Sequence, residues 1–407
     1  MTSHNATSYD IDAVRADFPQ LSGGSAHFDG PGGTQAPRQV ADAIAGALLA
    51  PLSNRGTVTT GESNAEATVQ DARAAIADLV NGDAGGVVFG RSATQLAYDF
   101  SRMLSKAWTS GDEIIVTRLD HDSNVRPWVQ AAERVGATVR WLDFDPETGE
   151  LDDIATVLSP KTRLVAVTAA SNLIGTMPPI ADIARAAHEV NALVYVDGVH
   201  FTAHASVDMK AMGADFFTCS PYKFLGPHLG ALTASPELLA TLEPDKLLPS
   251  TNEVPERFEF GTLPYELLAG VAAAVDYLAA LDRSPAAGAS RRERLVSSFT
   301  ALEAHEDALL ARLEAGIREL SGVNIHSRAT HRTPTLLLTF ANHDTVDAYE
   351  FLAARGVDAP SSNFYALEAS RRLGLGEEGG LRVGLAPYTN DEDVDRLCEG
   401  LAAFLEV

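Results

Sequence analysis

Leu193-Val194-Tyr195-Val196-Asp197 is a continuous apolar run closed by a carboxylate. Leu164-Val165-Ala166-Val167-Thr168 is a second such run, and the amphipathic stretch Pro179 to Val190 separates the two. Runs of this length, apolar at every position, describe strands covered on both faces, and the stretch between them reads as a helix. The same alternation extends outward. Gly86-Val87-Val88-Phe89 reads as a strand before a helix from Ser92 to Ala107. Glu113-Ile114-Ile115-Val116-Thr117 precedes a helix from Asn124 to Val135. Val139-Arg140-Trp141-Leu142 and Phe216-Phe217-Thr218-Cys219 are further strands. Strands separated by helices imply an α/β fold with a doubly wound, mostly parallel sheet and right-handed crossovers.

Beyond about residue 265 the pattern changes. Leu267 to Leu281 reads as an Ala-rich helix and Leu295 to Leu320 as a long amphipathic one. Thr335 to Phe340 is a strand, Val346 to Arg355 a helix, and Leu381 to Leu385 another strand. A last helix carries Val394, Leu397, Cys398, Leu401 and Phe404 on one stripe. The expected organisation is an N-terminal segment 1–27 packing on the small domain, a large domain 28–265 and a smaller α+β domain 266–407.

Composition narrows the function classes. The 407 residues are 45% hydrophobic, typical of a globular chain able to bury a large core. No apolar run reaches the roughly 20 residues of a membrane span. Met1 to Asp12 has no basic segment leading into an apolar one, so no secretory signal is read there. A net charge of −24 argues against nucleic acid or an anionic membrane as partner. Two cysteines leave no disulfide framework and no Cys-based zinc site to expect, and a reducing cytoplasm fits. No metal ligand set is expected.

Lysine is scarce: five, against 26 arginines. Lys223 sits in Ser220-Pro221-Tyr222-Lys223-Phe224-Leu225-Gly226-Pro227, directly after a strand. A buried lysine can lose its proton and attack a carbonyl, which arginine cannot do. Its alternative reading is a solvated or capping lysine. In open α/β sheets ligands bind beyond the carboxyl ends of the strands. Polar residues follow five such ends here: Ser92, Ala93 and Thr94; His121; Asn172; Asp197; and Lys223. A helix start at Gly90-Ser92-Thr94 offers free N–H groups and a favourable dipole to a phosphate, or else is simple N-capping by Ser92. A carboxylate can hold a protonated ring nitrogen, an Asn can donate to a phenolate, and a His can stack on a ring. A phosphate, a pyridinium, a phenolate and a lysine Schiff base together describe pyridoxal 5'-phosphate (PLP).

The chain resembles the class V aminotransferase family of fold-type I PLP enzymes, most closely its cysteine desulfurase-like branch. The resemblance runs from Phe28-Asp29-Gly30-Pro31-Gly32-Gly33-Thr34 to Arg382-Val383-Gly384-Leu385-Ala386-Pro387-Tyr388-Thr389-Asn390. It is carried most strongly by Val196-Asp197-Gly198-Val199-His200 and by Cys219-Ser220-Pro221-Tyr222-Lys223-Phe224-Leu225-Gly226-Pro227. It implies that the large domain binds PLP. Lys223 would form the Schiff base and move the proton, Asp197 would pair with the ring nitrogen, and His121 would stack on the ring. Asn172 and His200 would approach the phenolate oxygen, and Ala93, Thr94 and Ser220 would hold the phosphate. Thr262, in Phe260-Gly261-Thr262, would reach the phosphate of a neighbouring subunit, making the protein a homodimer with shared sites. Arg382 would bind the carboxylate of an amino-acid-like substrate, with Tyr365 and Arg55 as further substrate contacts.

The sequence departs from that branch in two places. A desulfurase carries a mobile Cys in the stretch corresponding to Pro360-Ser361-Ser362-Asn363-Phe364-Tyr365-Ala366, and here Tyr365 stands in its place. Desulfurases usually carry His before the lysine, and here it is Tyr222. Cys219 and Cys398 read as packing residues. The leading expectation is lyase-type chemistry at Cα or Cβ, such as C–S cleavage without the mobile Cys. Transamination, epimerisation or decarboxylation are the alternatives, and a non-catalytic PLP-fold binding or regulatory protein is the reading from another class.

Overall fold

A computed structural model describes residues 9–406, so the first eight residues of the expected N-terminal segment lie outside it. Seven strands form the main sheet. From edge to edge they are Val87–Gly90, Gly230–Ala234, Phe216–Cys219, Leu193–Asp197, Thr162–Thr168, Glu113–Thr117 and Thr138–Leu142. Every neighbouring pair from Phe216–Cys219 to Thr138–Leu142 is parallel. Gly230–Ala234 runs antiparallel to both of its neighbours, so Val87–Gly90 points the same way as the rest. The mostly parallel sheet is therefore as expected, and the one reversed strand was not foreseen. Gly230-Ala231-Leu232-Thr233-Ala234 lacks the β-branched density that marks the others. It needs its small first residue: a Cβ on Gly230 would lie 2.3 Å from the Ser92 carbonyl carbon and 2.5 Å from the Ala93 nitrogen.

Each face of the sheet is covered. Ile115, Val165, Val167, Val194, Val196 and Phe217 belong to one core, together with the helices Thr60–Val80 and Tyr265–Leu278. Val88, Ile114, Val116, Leu164, Ala166, Tyr195 and Phe216 belong to the other, with the helices Ala93–Leu104 and Arg126–Val135. Two helices are shorter than the periodicity predicts. Ser92 is the N-cap of Ala93–Leu104, which ends in a 3-10 turn at Ser105–Ala107. Asp122–Asn124 is a 3-10 turn ahead of Arg126–Val135, which has Pro127 in its first turn, and the Asn124 side chain binds Asp120 (2.7 Å) and the Trp128 indole (3.0 Å).

A second sheet of four antiparallel strands, Ser361–Ser362, Gly380–Gly384, Thr335–Phe340 and Val323–Ile325, has its own core of Leu336, Leu338, Leu381, Val383, Leu397 and Leu401. The helix Arg291–Arg318 spans both parts. Leu295, Phe299 and Leu302 pack in the first core, and Leu309, Leu313 and Ile317 pack in the second. The N-terminal region is tied down by Arg15 to Asp393 (2.6 Å) and by pairing of Ala26–His27 with Val357–Asp358.

Candidate active site

The parallel strands end on one edge of the sheet, and a cavity of about 530 Å³ opens there. Residues following all five foreseen strand ends line it: Ser92 to Thr94, His121 to Ser123, Asn172, Asp197 with Val199 and His200, and Ser220 with Tyr222 and Lys223. Asp29, Pro31 and Gly32 enter from the N-terminal turn. Ser362, Phe364, Tyr365 and Arg382 enter from the second sheet and its loop.

The Ser92 hydroxyl accepts from the Gln95 amide (3.1 Å) and its carbonyl from the Leu96 amide. The Ala93 and Thr94 amides stand in the first turn, where no intrahelical acceptor exists. Ser220 is buried beside them in the cavity wall. At the far end of Leu193–Asp197, the Asp197 carboxylate accepts from the Val199 amide at 2.9 Å. Burial raises its pKa to about 6, against the opposing pull of that amide and of Lys223.

Lys223 follows in the 3-10 turn Pro221–Lys223. Its Nζ donates to the Pro31 carbonyl and, at 2.9 Å, to that of Gly32, and it lies 4.8 Å from the Tyr222 ring centroid. Burial and the Arg382 guanidinium lower its pKa to about 7, while Asp29 and Asp197 pull the other way. An amine of that basicity is substantially neutral at physiological pH, which is the nucleophilic form.

The imidazole of His121 is fixed through Nδ1 by the Ser123 hydroxyl (2.8 Å) and amide (3.0 Å). Desolvation, with Lys223 and Arg382 nearby, lowers its pKa to about 3, so the ring is neutral. His200 is buried, and its Nε2 lies 2.9 Å from the Thr333 hydroxyl and 3.0 Å from that of Thr335. Burial first, then His204, holds it well below its ordinary pKa. Asn172 donates through Nδ2 to the Phe364 carbonyl at 3.0 Å.

These groups fit PLP by what they leave unsatisfied. Asn172 Oδ1 and His200 Nδ1 are buried without a hydrogen-bond partner, and buried polar atoms seldom stay so. Free helix-start amides, a buried carboxylate and a weakly basic lysine share their cavity. Lys223 would hold the group covalently, Asp197 its ring nitrogen, and the Ala93-Thr94 end its phosphate.

Two foreseen residues stand elsewhere. Thr262 is exposed and does not line the cavity. Arg55 binds Glu66 (2.8 and 3.1 Å) and Glu256 (3.0 Å), so its guanidinium is committed to carboxylates outside the cavity. Tyr365 is 75% exposed at the rim, with its ring centroid 5.6 Å from that of His121. Neither cysteine lines the cavity. Cys219 is buried in the sheet, where burial and Asp197 push its thiol up to about 12, and Cys398 lies on the helix Asp391–Leu405. Asp29, Tyr98, Ser123, Arg126 and Phe364 were not foreseen as lining residues. For Asp29 a signal existed: it opens the Asp29-Gly30-Pro31-Gly32-Gly33 turn quoted above.

The family model described as "Aminotransferase class-V" matches residues 26–397. An uncharacterized protein of Mycobacterium tuberculosis (strain CDC 1551 / Oshkosh) is 35% identical, covering 97% of this chain and 99% of its own. A cysteine desulfurase of Dickeya dadantii (strain 3937) is 30% identical, covering 97% and 96%. The apo structure of cysteine desulfurase from Thermococcus onnurineus NA1 superposes with a TM-score of 0.87 at 23% identity, over 97% of this chain and 98% of that one. With this match along nearly its whole length, the chain belongs to the class V aminotransferase family of PLP-dependent enzymes, in its cysteine desulfurase-like part.

Proposed function

We propose that this protein is a PLP-dependent lyase of α-amino acids that cleaves a bond at Cα or Cβ, C–S included, without passing sulfur to a thiol of its own. The observation that carries the reading is the grouping of Lys223, Asp197, Arg382 and two unpartnered polar atoms on one cavity from which both thiols are absent. The chemistry that bound PLP supplies is delocalisation of negative charge away from Cα. Asp197 would hold a proton on the ring nitrogen as a carboxylate, a form that the Val199 amide and Lys223 favour against its burial. Arg382 receives the substrate carboxylate and fixes the orientation of Cα. Lys223, once free as an amine, takes the Cα proton. Tyr222 lies against Lys223, and Tyr365 stands at the rim; the reading takes them as the counterparts of the His and the mobile Cys expected in a desulfurase.

The same reading makes the protein a cytoplasmic homodimer with shared sites. Thr262 is exposed beside Phe260, which is half exposed. Arg55 binds Glu256, four residues before Phe260, and Val58, three residues after Arg55, is exposed as well. Among the described residues no helix is long and apolar enough to cross a membrane.

The test is an absorbance screen of amino acids against the yellow protein, with product analysis. An amino acid that perturbs the visible band and yields a keto acid, free ammonia and the side-chain leaving group supports the reading. Amino-group transfer alone, or a colourless protein after PLP supplementation, overturns it. Lys223→Ala is expected to lose the borohydride-reducible adduct completely.

A further inference from the structure

Arg382 does not present a free guanidinium. Its Nη2 donates to Asp29 Oδ1 at 2.6 Å and its Nη1 to the Asn172 carbonyl at 3.1 Å. The Phe364 ring covers it, with the guanidinium carbon 3.6 Å from the ring centroid. The side chain is 2% exposed, and Nε is buried with no partner. The Asp29 side chain is 41% exposed and faces the cavity. Its backbone is fixed, because the Asp29 carbonyl accepts the Gly32 and Gly33 amides. Its carboxylate folds over Gly32, where a Cβ would fall 2.2 Å from Oδ2. The turn therefore delivers a carboxylate to the arginine that the proposed reaction needs for its substrate.

We propose that Asp29 is a specificity-determining residue, a built-in carboxylate that occupies Arg382 and that the substrate carboxylate must displace. The proposal rests on the reading of Arg382 as the substrate carboxylate site. Two anions cannot share one guanidinium edge without repulsion, so binding exchanges one charge-assisted pair for another. After the exchange Asp29 is left in the cavity without its cation. A plain carboxylate leaves that charge uncompensated. An α-amino acid brings an ammonium group into the same cavity. Asp29 thus selects zwitterions over simple carboxylates, which would otherwise clog the site.

The probe is propionate, titrated against the PLP-loaded protein and followed both by the visible band and by thermal shift. Asp29→Asn keeps the shape of the side chain and removes its charge. It is expected to bind propionate about ten-fold more tightly than the parent, and to gain less in KM for a reacting amino acid. If Asp29 only orients Arg382, the variant binds propionate more weakly, and an equal or weaker affinity overturns the proposal. Asp29→Ser is the second variant and carries the same expectation should Asp29→Asn fold poorly. The visible band separates the two readings. If it is absent from parent and variant alike, the PLP assignment has failed. If it is intact with unchanged propionate affinity, only the role of Asp29 has failed.

Discussion

One wall of the cavity rises from the carboxyl ends of parallel strands, and the other is made by the loop around Phe364 and Tyr365 with Arg382 behind it. In the first, Asp197 and Ser220 are almost fully buried and each extends directly from a sheet strand. In the second, Phe364 (φ 51°) and Tyr365 (φ 59°) both adopt the left-handed backbone region, which costs a non-glycine residue roughly 1 kcal/mol or more. That shape is held from outside: Asn172 binds the Phe364 carbonyl, and the Asp122 amide binds the Tyr365 carbonyl at 2.7 Å. The strand ends fix the groups that would meet a cofactor through the stability of the sheet. Arg382 is fixed by the second sheet, in Gly380–Gly384, whereas the loop fixes Phe364 and Tyr365 through a few replaceable contacts.

If that contrast holds, damage to the first wall is severe. Asp197→Asn is expected to lower kcat/KM for the reacting amino acid by about 100-fold or more, since a preorganised charge is lost from a dry site. A loss under about ten-fold would mean that the strand ends do not carry the chemistry. A second effect follows from pH. Burial and Arg382 favour the neutral amine of Lys223, so its folded value lies below the unfolded one. The neutral form prevails above about 7 and is lost as pH falls through it. Capture of added PLP by the apoprotein, trapped with borohydride, should slow by about ten-fold per pH unit below 7 and level off above 8. A rate still climbing at pH 10 would remove the depressed value. The smallest effect belongs to the loop. Tyr365→Gly relieves the left-handed backbone but loses the His121 contact and loosens the unfolded chain. Its stability by denaturant unfolding should stay within about 1 kcal/mol of the parent. A loss above about 2 kcal/mol would show the loop to be held by its own ring.

The same division governs what could be read in advance. Strands apolar at every position announce a sheet covered on both faces, and the polar residue after each announces a site, so the first wall was legible from Val87 to Lys223. Asp29 was not assigned, because its meaning depends on Arg382, 353 positions away in the chain. Gly230–Ala234 was missed because it is chosen for small size against the Ser92 turn rather than for strand-forming bulk. Phe364 gave no sign of its role, since neither composition nor periodicity marks an aromatic residue laid on a guanidinium by left-handed backbone.

The helix Arg291–Arg318 has a mechanical consequence. Its 28 residues extend for about 42 Å, with one half embedded in each core. It is a strut common to both bodies, and swinging one sheet away from the other would require breaking it or stripping three large side chains from one end. Opening of the cavity therefore falls to the short loop at its rim, so the traffic of substrate and product is set by a handful of backbone bonds rather than by a hinge.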